Sequence, residues 1–168
     1  MGPASVGRRP SLSDHLPELA GRALDGTEVT LPRDLASDRN LVVLAFRQRQ
    51  QGDVDTWLSW AIDELAVPAR PTAGPVSCYE VPMLGRRWLP GRRLIDGGMA
   101  TSIADPVVLA RTVTVYANVG AVLAPLGIDT FDEVHALVVT RDGTVTAHER
   151  GPGDPAAQGR VAAALAGP

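Results

Sequence analysis

The most constraining feature of this 168-residue chain is the unbroken apolar run Leu41-Val-Val-Leu-Ala-Phe46. A strand with one solvated face alternates polar and apolar residues, so a run that is apolar throughout predicts a strand covered on both faces. Covering both faces takes helices above and below a sheet, which is an α/β layer fold. The residues that follow fit that requirement. Arg47 to Gly52 is polar and loop-like, and Asp53 is placed to cap a helix whose apolar residues, Val54, Trp57, Leu58, Ala61, Ile62 and Leu65, recur at spacings of three and four. Pro68 and Pro71 close that helix.

Further strands are predicted at Val76–Val81, Val113–Tyr116 and Val134–Thr140. Asp142-Gly143 turns the last of these into an antiparallel partner, Thr144–His148, and Asp25-Gly26 marks a hairpin between Leu16 and Leu31. Gly85 to Arg111 reads as a helical segment broken by Pro90, Gly97-Gly98 and Pro106, long enough to be an insertion. Val119–Leu126 predicts a short helix ended by Gly127, and Ala156–Leu165 a final one. Residues 1–15 are expected to form a mobile arm and residues 16–168 a single domain.

Composition narrows the function. A net charge of −3 supplies no basic field, so nucleic acid is not an expected partner. All sixteen basic residues are Arg, which excludes a lysine Schiff base or lysine general base. That usage, with abundant Ala, Gly and Pro, suggests a GC-rich bacterial genome. The single cysteine, Cys78, rules out an intramolecular disulfide and a cysteine-based zinc cluster. No apolar run approaches the ~20 residues that span a bilayer, and none follows Arg8 and Arg9 as a signal peptide requires. A cytoplasmic protein without membrane insertion, metal or cofactor is the expectation.

Three stretches together resemble the thioredoxin-like superfamily, on its peroxiredoxin and thiol-disulfide oxidoreductase side. Leu24-Asp-Gly-Thr-Glu-Val-Thr-Leu31 followed by Leu41–Phe46 is similar to the opening hairpin and first core strand of that branch. Val113–Ile128 is similar to its later strand–helix pair, and Leu137-Val-Val-Thr-Arg-Asp-Gly-Thr-Val145 to its penultimate hairpin. The resemblance implies a three-layer thioredoxin-like fold whose mixed central sheet ends in an antiparallel hairpin. It also implies where thiol chemistry would sit. A Cys-x-x-Cys would begin a few residues past Phe46, at Gln51 and Val54; a peroxidatic cysteine would fall near Asp55; a cis-proline would fall at about Val134. None of these positions carries the required residue. Gln and Asp cannot act as a thiolate, and disulfide exchange needs a second thiol. The strand and Trp-containing helix from Leu41 to Trp57 also resemble the mitochondrial ATP synthase assembly-factor family, a non-redox branch.

Candidate site residues cluster after the first core strand, because open α/β sheets bind ligands beyond the carboxyl ends of strands, where helix N-termini offer free N–H groups. Arg47, Arg49 and Gln51 supply donors for an anionic or polar ligand there. The same loop also reads as a solvated turn in which Asp53 and Asp55 satisfy the helix start. Trp60 falls beside the apolar stripe that takes Trp57, and is a candidate lining residue. Arg86 and Arg87, with Arg92 and Arg93, read either as an arginine-lined pocket for a carboxylate or phosphate, or as the solvated side of a helix resting on Trp88, Leu89 and Leu94. Asp96-Gly97-Gly98-Met99 is unusual, because each helical glycine costs about 1 kcal/mol relative to Ala. Either two elements cross closely there or a backbone approaches a ligand. His135 is the acid–base candidate by position, joined by Tyr79 and Asp55; a hydrogen-bonded structural histidine is the competing reading.

Two functions compete on these grounds. One is a non-redox thioredoxin-like protein that binds a protein partner or small anionic ligand at the former active-site face. The other is a cofactor-free enzyme acting on a small molecule in the same pocket, as small folds do in bacterial secondary metabolism. A one-cysteine peroxidase using Cys78 comes third. The purified protein is expected to show neither peroxidase nor disulfide-reductase activity, and Cys78→Ser to leave any native activity unchanged. Peroxide consumption that disappears in Cys78→Ser would contradict this.

Overall fold

The computed structural model of the chain describes residues 13–102 and 105–168. It opens with β1 (Leu19–Ala23), β2 (Glu28–Leu31) and β3 (Ser37–Ala45), followed by α1 (Gln51–Leu65) and β4 (Gly74–Gly85). Two short helices come next, α2 (Arg92–Ser102) and α3 (Pro106–Arg111), then β5 (Val113–Ala117) and α4 (Val119–Leu123). The chain finishes with β6 (His135–Thr140), β7 (Val145–Arg150) and α5 (Pro155–Ala166). The seven strands form one mixed sheet in the order β2-β1-β5-β4-β3-β6-β7.

β3 is an inner strand, parallel to β4 on one edge and antiparallel to β6 on the other. Its alternate residues feed two separate cores. Leu41, Val43 and Ala45 pack with Val54, Trp57 and Leu58 of α1 and Val161 and Leu165 of α5. Val42 and Leu44 face the other way, onto Leu16, Leu19, Leu123 and Ile128. The continuous apolar run is therefore satisfied on both faces. Trp57 is fully buried, and its indole N–H donates to the Gly151 carbonyl at 2.9 Å, tying α1 to the turn before α5.

The predicted strands all form, with β4 extended at both ends. Two local expectations need correction. The helix expected to start at an Asp53 cap starts at Gln51, after a single 3-10 turn over Gln48–Gln50, and Asp53 lies inside its first turn. Gln50 binds the preceding loop with its side chain and sets the helix start earlier. The Gly97-Gly98 pair does not break its helix: α2 runs through it. A Cβ added to either glycine meets nothing within 4 Å, so no element crosses closely there. Pro90 does fall in a 3-10 segment, Arg86–Gly91, and Pro106 opens α3 behind an Asp105 cap.

Residues 1–12 of the expected arm lie outside the described residues. Ser13–His15, also assigned to that arm, are anchored: the Ser13 N–H donates to the Pro125 carbonyl, and His15 bridges to Thr144. His15 also packs under the Asp142-Gly143 turn, its Nε2 2.7 Å from the Asp142 carbonyl.

Candidate functional site

The loop between β3 and α1 is held by one side chain. Gln50, 3% exposed, accepts hydrogen bonds on Oε1 from the Phe46 and Arg47 amides at 2.7 and 3.1 Å. Its Nε2 donates to the Phe131 carbonyl at 2.9 Å, so the loop after β3 is stitched to the loop before β6. Phe46 and Phe131 stack beneath this bridge, their ring centroids 4.8 Å apart. On the solvent side, Arg47 and Arg49 both reach Asp132, at 3.4 and 3.6 Å, and all three side chains are more than half exposed. Two guanidinium groups thus share one carboxylate.

Behind this rim, on the α1 side of the sheet, lies a buried acid. Glu80 alternates with Cys78 on β4 and is 7% exposed. Burial pushes its carboxyl above the ordinary range and Asp55 adds to the rise, while hydrogen bonds from Gln51 and Thr112 and the charge of Arg111 oppose it. Gln51 Nε2 also donates to Asp55 at 3.1 Å. Burial likewise raises the Cys78 thiol, with Arg111 acting weakly against it. A thiol so held is a core group, not a nucleophile.

His135 lies on the opposite face. Its Nε2 is 3.1 Å from the Thr130 carbonyl, which can only accept, so Nε2 carries a proton, and in the neutral ring that burial favours Nδ1 accepts. The partner of Nδ1, at 2.8 Å, is His148 Nε2, which must therefore donate. Both rings are neutral in this arrangement. Tyr79 shares that face, but its hydroxyl accepts from the Ala36 amide at 3.0 Å and is buried in the core. Asp55 stands on α1, across the sheet. The three acid–base candidates therefore do not converge: His135 and Tyr79 have structural partners, and a layer of sheet separates them from Asp55.

No family model matches the sequence, and no curated protein does. Solved structures do. The thioredoxin domain of a thiol-disulfide oxidoreductase from Bacteroides vulgatus superposes with a TM-score of 0.56 at 20% identity, covering 92% of this chain and 98% of that one. Copper-bound yeast Sco1 gives 0.58 at 10% identity, covering 96% of each chain. A DsbE-type thiol:disulfide interchange protein from Chlorobium tepidum gives 0.53 at 15%, covering 92% and 97%. The fold is thioredoxin-like. These structures share the fold; the thiol-disulfide oxidoreductase and peroxiredoxin side and the assembly-factor likeness remain resemblances in sequence.

In this thioredoxin-like frame the Gln50 bridge and the two arginines occupy the ground between the loop after β3 and the loop before β6. Of the two positions where the resemblance implies a Cys-x-x-Cys, Gln51 is exposed at the start of α1, and Val54 is fully buried in the core. Trp60 is half-buried and packs edge-on against Trp57, centroids 6.0 Å apart, as support for the helix. Arg86 and Arg87 are exposed on the 3-10 segment, Arg87 over the Trp88 ring at 5.3 Å. Gln50 and Asp132 are the residues that sequence reasoning passed over, while Glu80 was grouped with Tyr79 and the arginine pairs of Arg86–Arg93, which do not approach it. A Gln or Asp in a polar loop carries no signal of its partner, but a Glu inside the apolar strand Val76–Val81 was a visible anomaly.

Burial holds both histidines below their ordinary pKa of about 6.5. For His135, Arg150 reinforces burial, and the Thr130 carbonyl, Glu133 and Asp129 oppose it; for His148, His135 and Arg150 reinforce burial and Glu149 opposes it. The unfolded chain then takes up these protons at a higher pH than the folded one. The stability they contribute is complete above about pH 6.5 and is lost as pH falls through the depressed folded values. His148→Gln keeps a donor for His135 and removes one titrating ring. The drop in melting temperature on going from neutral pH to just below pH 6 should therefore be smaller in His148→Gln than in the wild type. Equal drops would contradict the assignment.

Proposed function

We propose that this chain is a thioredoxin-like protein without thiol chemistry that binds an anionic group, on a protein partner or a small ligand, at the face where the superfamily keeps its thiols. The observation that carries this reading is the convergence of Arg47 and Arg49 on the single carboxylate of Asp132. An incoming carboxylate or phosphate completes the pairing of two guanidinium groups that one side chain shares. The loop that presents them is fixed by Gln50, so little ordering accompanies binding. The exposure of the rim suits carboxylates on a partner's surface, because an open surface gives a small molecule little burial.

One observation favours the enzyme reading. Glu80 is a buried carboxyl raised above its ordinary range, with Asp55 and Gln51 beside it, and a carboxyl kept protonated by burial is suited to donate a proton as a general acid. A small substrate reaching Glu80 past Gln51 would meet that acid.

Exposed charge pairs are screened by solvent and salt, so each arginine is worth about 1 kcal/mol or less, roughly a fivefold effect. Calorimetric titration with a short oligoglutamate peptide at low salt is expected to show saturable binding. Arg47→Ala or Arg49→Ala should weaken it roughly fivefold, and the double variant by ~20-fold, with melting temperatures close to wild type. Binding that is unchanged in the double variant would place the site elsewhere.

A further inference from the structure

At the β2-β1-β5 end of the sheet a cavity of about 640 Å³ lies between the strands and α2, within the size range of small-molecule sites. Its floor follows from strand alternation. Val113 and Val115 of β5 point into the core with Leu16 and Leu19, so Thr114 and Tyr116 point the other way, into the cavity. Arg22 and Thr30 flank them from β1 and β2, and the roof is α2, through Arg92, Arg93, Asp96 and Gly97.

Four features of this lining point to a ligand. Thr114 is 1% exposed, and its hydroxyl has no hydrogen-bond partner among the described residues. Buried hydroxyls in folded proteins are almost always paired, and valine would fill the same volume at no polar cost. Tyr116 donates its O–H to Asp96 at 2.8 Å, which fixes a carboxylate in the cavity wall as an oriented acceptor. Arg92 and Arg93 line the same wall, and among the described residues neither forms an ion pair, whereas Arg22 is engaged by Glu28 at 3.4 Å. Gly97 leaves the roof bare, since a Cβ built there meets nothing within 4 Å. Gly97 thus presents bare backbone to the cavity within a helix that alanine would have stabilised.

We propose that this cavity binds a small hydroxylated organic anion, its carboxylate or phosphate held by Arg92 and Arg93 and its hydroxyls paired with Thr114 and Asp96. The site is separate from the rim formed by Arg47 and Arg49, and as a half-open cleft it covers more of a small molecule than that exposed rim does. Arg86 and Arg87 do not line it.

The test is an NMR titration of the full chain with 6-phosphogluconate, which carries a phosphate, a carboxylate and several hydroxyls, and with sorbitol as the uncharged control. Saturable shifts of the Thr114, Tyr116 and Gly97 amides are expected with 6-phosphogluconate only, with a dissociation constant of about 1 mM or tighter. The Arg92→Ala/Arg93→Ala variant should weaken binding roughly 10-fold or more, and Gly97→Leu should abolish it by filling the cavity. Arg47→Ala/Arg49→Ala should leave it unchanged, which separates this site from the one proposed above. Thr114→Val is expected to bind several-fold more weakly while melting at or above the wild-type temperature. Absent or unsaturable shifts, shifts mapping elsewhere, binding insensitive to the Arg92 and Arg93 substitutions, or a Thr114→Val protein less stable than wild type would overturn the proposal.

Discussion

The structure depends on β3. It is hydrogen-bonded along both edges and buried on both faces, so it joins two otherwise separate apolar cores and fixes the registers of β4 and β6 on either side. Leu44 stands opposite Val81 on one side and His135 on the other, and the strand ends one residue later, at Ala45. Everything near the candidate site is placed by that ending: the loop after it, the start of α1, and the loop that precedes β6. A polar substitution among Leu41–Leu44 has no solvent face to turn to, and would damage both cores together.

Where β3 stops, the chemistry of this chain departs from its fold. The thiol-disulfide oxidoreductases to which it is similar share its architecture at 20% identity or less, which transfers the framework and nothing of the site. The sequence has no Cys-x-x-Cys, and its one cysteine is sealed in the core under α1. The loop is instead fixed by a neutral amide. Gln50 satisfies two backbone donors and one acceptor from inside the protein, so the arginines beside it are free to face outward. A buried amide with such partners is a rigid device, since losing it strands three backbone groups in a dry environment.

Much of the framework was legible because it is written in local patterns. The run Leu41–Phe46 has one physical solution. Asp25-Gly26 and Asp142-Gly143 close hairpins through their own backbone preferences, with Gly26 and Gly143 at positive φ. The site was less legible. Arg47, Arg49 and Gln51 were located by their position after the strand, but Asp132, which binds both arginines, lies more than eighty residues away. His135, Tyr79 and Asp55 were grouped by proximity to one strand end, but β6 and β4 turn His135 and Tyr79 to one face of the sheet while α1 carries Asp55 on the other. Gly97-Gly98 was expected to break its helix on propensity alone. The helix continues through them over a cavity whose floor comes from three strands, and no local pattern encodes that space.

The central claim is that a polar, outward-facing anion site stands where the superfamily keeps its thiols. The most direct measurement follows the arginine Nε–H signals of the full chain by NMR as an oligoglutamate peptide is added. If the claim holds, the Arg47 and Arg49 signals move together and saturate at the same peptide concentration, as incoming carboxylates complete the pairing that Asp132 alone provides. If those two signals stay still while the signals of Arg86 and Arg87 move, or if all sixteen arginines shift alike and without saturation, the former thiol face is not the binding site.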